Sequence, residues 1–193
     1  MRVILASASP RRREILRQIG VPFEVFVPPI REECSFFVDS RKLVMYLAGE
    51  KVRSCRASGA LVIGMDTMVV AGKTKLGKPG NAAEAEKMLR LLSNRTHSVV
   101  TGVALSIHNR MVTDYERTRV RFRKLTRAEI RWYVQTGEPF DKAGAYAIQG
   151  AGSLFVNRIE GCYYNVVGFP LGCFQRTLQK LGYSIFDLME DRS

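Results

Sequence analysis

The chain is poor in residues that hold metals or cross-link a fold. It has two histidines and four cysteines, and Cys34, Cys55, Cys162 and Cys173 show no C-x-x-C spacing. That pattern argues against a zinc site and against a disulfide framework. Long apolar runs are missing too. The N-terminal run Val3-Ile4-Leu5-Ala6 lies between Arg2 and Arg11 and is too short for a signal sequence or a membrane span. A cytoplasmic protein with no membrane partner is expected. There is also no G-x-x-x-x-G-K-[ST] loop, no G-x-G-x-x-G turn after a strand and no G-x-S-x-G elbow. Kinase, dinucleotide-dehydrogenase and α/β-hydrolase readings therefore lose their main support.

Acid is scarce relative to base. Eighteen Asp and Glu face thirty Lys and Arg, a formal charge of +12 that draws polyanions such as nucleotides or nucleic acid. The basic residues are dispersed from Arg2 to Arg192, which favours a folded anion-binding surface over a disordered arm. With 193 residues, 46% of them hydrophobic, the chain has the length and apolar content of one globular domain, or of one domain with a small lobe, and is read as a single domain spanning residues 1–193.

Periodicity outlines the elements. Val3-Ile4-Leu5 reads as a buried strand, and Ile15, Leu16 and Ile19 recur at helical spacing until Gly20. Between them stands Leu5-Ala6-Ser7-Ala8-Ser9-Pro10-Arg11-Arg12-Arg13, with Ser9 suited to an N-cap and Pro10 to the first helical position. Phe23, Val25 and Val27 alternate as a second strand; Leu43, Val44, Leu47, Ala48 and Val52 mark a second helix. Leu61-Val62-Ile63 leads to Gly64-Met65-Asp66-Thr67 and then Met68-Val69-Val70, which places Asp66 and Thr67 at a break within or between strands. Capping-box order precedes helices at Asn81–Glu84 and Thr126–Glu129. Ser98 to Ile107 and Met111 to Phe122 read as a hairpin turning at His108-Asn109-Arg110. Strands are expected around Leu154-Phe155-Val156 and Val166-Val167, and a last helix from Gly172 to Leu181. Early alternation with paired strands in the middle predicts an α/β or α+β fold, a twisted mixed sheet flanked by helices.

Several residues can carry triphosphate chemistry, which needs neutralised charge, a carboxylate-held divalent cation and a positioned water. A helix N-terminus beside Arg11 and Arg12 forms a phosphate-binding arrangement; the bland alternative is a capped helix with solvated arginines. Arg13 is turned about 100° from Arg12, toward solvent. Lys51 on the second helix and Lys78 in Gly77-Lys78-Pro79 offer further cations, the latter stiffened by Pro79. Asp66 ends an apolar run, where a carboxylate is costly to bury unless it binds a cation or accepts hydrogen bonds. Glu32 or Glu33 can supply a second carboxylate. Asp141 to Gly150 joins small residues to Gln149, whose carboxamide can read a base edge or hold a water. His97 and His108 lack an evident partner and read as structural or solvated.

Ser7-Ala8-Ser9-Pro10-Arg11-Arg12, Gly64-Met65-Asp66-Thr67, Gly77-Lys78-Pro79, Thr96-His97, Thr101-Gly102-Val103-Ala104-Leu105 and Asp141-Lys142-Ala143-Gly144-Ala145-Tyr146 through Gln149-Gly150 together resemble the Maf family of nucleoside triphosphate pyrophosphatases. The likeness runs nearly end to end. It implies an inosine-triphosphatase-like fold with two lobes around a nucleotide cleft, usually a homodimer. It also implies hydrolysis between the α- and β-phosphates with Mg2+ or Mn2+. By position, Ser7, Ser9, Arg11 and Arg12 hold phosphate, Thr67 joins the substrate-binding set, and Lys51 and Lys78 add charge. Glu32 and Asp66 bind metal or activate water, Asp66 resembling the family's proton acceptor, and Gln149 helps select the base. The Asp-Lys-Ala-Gly-Ala-Tyr and Ile-Gln-Gly wording is similar to the dTTP- and UTP-preferring branch. Departures are Arg13, a third arginine; Arg31-Glu32-Glu33, which offers two adjacent glutamates, Glu32 or Glu33, for the loop carboxylate; and Ala147, where glycine is common. A rival class is a non-catalytic regulator of septum formation or cell division that binds nucleotide or nucleic acid. No RNA-recognition aromatic motif or helix-turn-helix pattern supports that rival.

Overall fold

The computed structural model describes residues 1–30 and 39–189. In chain order the elements are β1 (Val3–Ala6), α1 (Pro10–Gln18), β2 (Glu24–Phe26), α2 (Ser40–Arg53), β3 (Leu61–Ala71), β4 (Thr74–Leu76), α3 (Ala82–Leu92), β5 (Thr96–Ile107), β6 (Arg110–Phe122), α4 (Arg127–Gln135), β7 (Val156–Glu160), α5 (Tyr163–Val167) and α6 (Leu171–Lys180). The strands form one mixed sheet in the order β2-β1-β3-β5-β6-β7, with β4 added on β3. β1 runs parallel to both β2 and β3, whereas β4 on β3 and β7 on β6 are antiparallel. The expected α/β architecture with a mixed sheet is present.

Two compact units divide the chain: Met1–Asp66 with Thr101–Glu116 and Gly168–Ser193, and Thr67–Val100 with Arg117–Val167. The first unit is built on the parallel strands. All four residues of β1 are buried, as suits a strand covered on both faces. Pro10 starts α1 as expected, but Ser9, although at the N-cap position, makes no capping bond through its side chain. α2 is capped by Asp39, whose carboxylate accepts from the backbone amide of Arg41. The helix lies close over β3 at Gly64, where an added Cβ would fall 2.4 Å from the Ala48 carbonyl oxygen and 2.7 Å from Val52 Cγ2. Only a missing side chain permits that approach, and it brings the C-terminal turn of α2 over the middle of β3.

Two expectations for this unit need correction. β2 is shorter than the Phe23, Val25, Val27 alternation suggests, and Val25 and Val27 are 43% and 61% exposed. It is the terminal strand of the sheet, so alternation there does not mark a buried face. β3 is continuous through Asp66 and Thr67, with no break. The carboxylate does not end the strand because a cation is buried beside it.

The second unit has an aromatic core. Phe122, Tyr133, Tyr146 and Phe155 are buried, and their rings meet edge to face, with centroids 4.7 Å apart for Phe122 and Tyr146 and 4.9 Å for Tyr133 and Phe155. Leu89 and Leu92 of α3 and Ile130 and Val134 of α4 pack on the same cluster. α4 carries the full capping box of Thr126 and Glu129. At α3 only half of the box forms: Asn81 accepts from the Glu84 amide, but Glu84 turns to the amide of Gly80 at 2.8 Å. The hairpin between β5 and β6 turns at His108 and Asn109, both at positive φ and both within the first unit.

Here too the local pattern misleads. Residues 150–155 form a 3-10 turn and β7 begins only at Val156, while Val166 and Val167 lie in the short helix α5. Asn165 explains the second case. Its buried carboxamide Nδ2 donates to the Val99 carbonyl and to Thr118 Oγ1, each at 3.0 Å. That tertiary anchor overrides the β-preference of two valines.

Candidate active site

In the first unit, the β1–α1 junction is organised around Arg12. The guanidinium is buried; Nε donates to the Gly168 carbonyl at 2.8 Å, and Nη1 donates to the Met65 carbonyl at 2.9 Å and to Ser7 Oγ at 3.1 Å. Ser7 Oγ also accepts from the Ser9 amide at 3.2 Å. Arg12 therefore ties the N-terminal turn to β3 and to the turn before α6. Arg11 and Ser9 are half-buried beside it in sequence. Arg13 does not point freely into water. It is half-buried and its Nη2 folds back to donate to the Ala8 carbonyl at 3.0 Å.

Lys51, near the end of α2, meets Asp66 in the middle of β3. Nζ donates to Asp66 Oδ1 at 2.7 Å and to the Met65 carbonyl at 3.3 Å, and each side chain is 8% exposed. Arg12 and Lys51 thus converge on one carbonyl, that of Met65, immediately before the carboxylate. The structure brings together Ser7, Arg12, Lys51 and Asp66, residues spread over the first third of the sequence. Glu32 and Glu33 lie outside the described residues. A desolvated ion pair of this kind adds little net stability but is costly to break on one side only.

The second unit holds the remaining candidates. Lys78 is exposed in the turn after β4, and Gly77 accepts from the Gly144 amide at 2.9 Å, joining that turn to the small-residue segment. Thr67 is half-buried in β3. Gln149 is exposed at the head of the 150–155 turn and its side chain makes no capping bond there. His97 is a core residue. Its Nε2 lies 2.8 Å from the Tyr146 hydroxyl, its ring packs on Phe122, and burial pushes its pKa down to about 4, so the imidazole is neutral near pH 7. Its reading as structural is correct; His108, in the first unit, lies exposed in the hairpin turn.

A sequence model described as Maf-like protein matches residues 2–181. The chain belongs to the Maf family. It is 50% identical over 186 residues to a protein of Symbiobacterium thermophilum named dTTP/UTP pyrophosphatase, covering 95% of this chain and 96% of that one. A Bacillus cereus (strain AH820) protein of the same name is 46% identical over 186 residues, covering 95% of this chain and 97% of its own. Among solved structures, the Ham1 protein of Staphylococcus aureus aligns with a TM-score of 0.44 and 16% identity over 63% of this chain and 72% of that one.

In this Maf-like chain the matched span contains every candidate residue of both units. Sequence reasoning missed the pairing of Lys51 with Asp66 and the bonds to backbone: the carbonyls of Met65 and Gly168 carry no side-chain signal, and only the fold shows that Arg12 and Lys51 donate to them. No helix among the described residues is long and apolar enough to cross a membrane. Nor does any group of three or more His, Cys, Asp or Glu among them form a metal cage. A single buried carboxylate still suits Mg2+ or Mn2+, hard cations that are commonly held by one or two carboxylates together with substrate phosphates.

Proposed function

We propose that this protein hydrolyses dTTP and UTP between the α- and β-phosphates, releasing the monophosphate and pyrophosphate. The observation that carries this reading is the Lys51–Asp66 pair, buried in mid-strand with Arg12 on the adjoining carbonyl. An apolar strand gains nothing from such a pair; a site for anionic chemistry does. The names of relatives 46% and 50% identical over 95% of the chain supply the substrate class.

In this reading Asp66 takes the proton of the attacking water or holds the cation, and Lys51 keeps the carboxylate in place. Arg11, Ser7 and Ser9 meet phosphate at the N-terminus of α1, where the helix dipole favours anions. Arg12 holds the turn with the bonds already described. Thr67 and Lys78 contribute substrate contacts, and Gln149 selects the base. A divalent cation, Mg2+ or Mn2+, would be held by Asp66 with Glu32 and would supply charge neutralisation on the phosphates. The test is a screen of canonical and modified triphosphates with Mg2+ or Mn2+, reading pyrophosphate. Pyrophosphate from dTTP and UTP is the expected result. Orthophosphate alone, or binding without turnover at several metal concentrations, overturns the proposal.

A further inference from the structure

Gln149 is exposed and uncapped, so its position depends on the backbone around it. That backbone is held from both sides by one pair of side chains in the second unit. Two residues before Gln149, the Ala147 amide donates to the Tyr133 hydroxyl at 3.1 Å. Two residues after it, the Ala151 amide donates to Glu138 Oε2 at 3.1 Å, and the Gly152 amide donates to Glu138 Oε1 at 3.2 Å. The clasp is closed between the anchors, because the Tyr133 hydroxyl donates to Glu138 Oε1 at 2.8 Å.

The chemistry of each group suits this task. Tyr133 is fully buried at the end of α4, its ring fixed against Phe155, so the hydroxyl is delivered at a fixed place. Glu138 opens the 3-10 turn Glu138–Asp141, and its own amide donates to Thr136 Oγ1 at 3.2 Å. Its carboxylate accepts from a phenol and from the first free amides of the 150–155 turn, the groups a helix start leaves without partners. Gly152 makes room for the arrangement: an added Cβ would lie 2.4 Å from the Ala147 carbonyl oxygen and 2.7 Å from the Tyr133 hydroxyl.

We propose that Tyr133 and Glu138 are positioning residues for base selection, a clasp that sets where Gln149 stands without touching the nucleotide. The proposal rests on the reading of Gln149 as the base-selecting residue. Loosening the clasp lets the segment drift, and the selected bases lose the bond that others never had. Selectivity then falls through KM, while the phosphate chemistry in the first unit keeps its rate.

The experiment measures kcat and KM for dTTP, UTP, CTP and GTP in Gln149→Ala, Glu138→Ala, Glu138→Gln and Tyr133→Phe, with thermal melting of each. The expected result is that Gln149→Ala and Glu138→Ala both raise KM for dTTP and UTP and shrink discrimination against CTP and GTP roughly tenfold, the scale of one lost hydrogen bond. Tyr133→Phe, which keeps the ring, shifts the ratio in the same direction by less, and Glu138→Gln restores part of it. Unchanged discrimination in Gln149→Ala overturns the reading of Gln149 itself. If Gln149→Ala loses discrimination but folded Glu138→Ala and Tyr133→Phe keep it, the clasp is overturned and that reading stands. A uniform fall in kcat for all four nucleotides also overturns the clasp. Should Glu138→Ala fail to fold, Tyr133→Phe and Glu138→Gln decide by the same ratio.

Discussion

Asp66 and Glu138 are carboxylates withdrawn from bulk water in different units, and their partners could hardly differ more. Asp66 is buried against an ammonium, with a guanidinium bonded to the neighbouring carbonyl. Glu138, half-buried, accepts from a phenol and two amides. A carboxylate matched to cations suits the site proposed here for anionic substrates; one matched to neutral donors holds backbone. The identity of the donor, rather than burial alone, separates a chemical role from a positioning one.

The comparison is broken most sharply at Asp66. Asp66→Asn keeps shape and removes the negative charge, and kcat is expected to fall by about a hundredfold or more, as for loss of a catalytic acid–base group. Nucleotide binding, measured by calorimetry, should survive. Equal turnover in the variant would remove Asp66 from the mechanism. Next in size is Lys51→Met, which removes one side of the buried ion pair and should lower stability by about 3–5 kcal/mol in urea unfolding. Replacing both partners sharpens the contrast: Lys51→Met with Asp66→Leu should recover most of that stability and stay inactive.

Gly64→Ala attacks the same pair from the backbone. Its Cβ would meet the Ala48 carbonyl, so α2 must lift from β3, at a cost of about 1–3 kcal/mol and with a loss of activity as Lys51 leaves Asp66. The last test concerns the neutral core of the second unit and shows only at acid pH. Burial holds His97 at a pKa of about 4, against an ordinary value of 6.5. Above about pH 6.5 the imidazole is neutral whether the chain is folded or not, and its contribution is fully present. As pH falls toward 4 the unfolded chain takes up a proton that the folded one does not, so stability declines across that window. His97→Gln should flatten that part of the stability-versus-pH curve; an unaltered slope would exclude His97 as its source.

Much of the candidate site is legible because its residue types are chemically scarce in their settings. A carboxylate inside an apolar run and arginines at a proline-started helix stand out in any sequence, and capping order located α4 correctly. What misled was always local. Val25 and Val27 alternate like a buried strand, yet Val25 lies on a terminal strand of the sheet and Val27 beyond its end, and the valines of α5 follow Asn165 into a helix. Asp66 looked like a strand end because its cation, Lys51, is fifteen residues away in sequence and 2.7 Å away in space.

The sequence by itself determined the family, most of the elements and the roster of candidate residues, since these depend on residue type, order and short-range periodicity. Tertiary structure alone decided which cation meets which carboxylate, that Arg12 and Lys51 share the Met65 carbonyl, and that Tyr133 and Glu138 brace the segment bearing Gln149. Hydrogen bonds to backbone and pairs across strands depend on distance in space, and a linear pattern does not encode that until helices cross a sheet at a position such as Gly64.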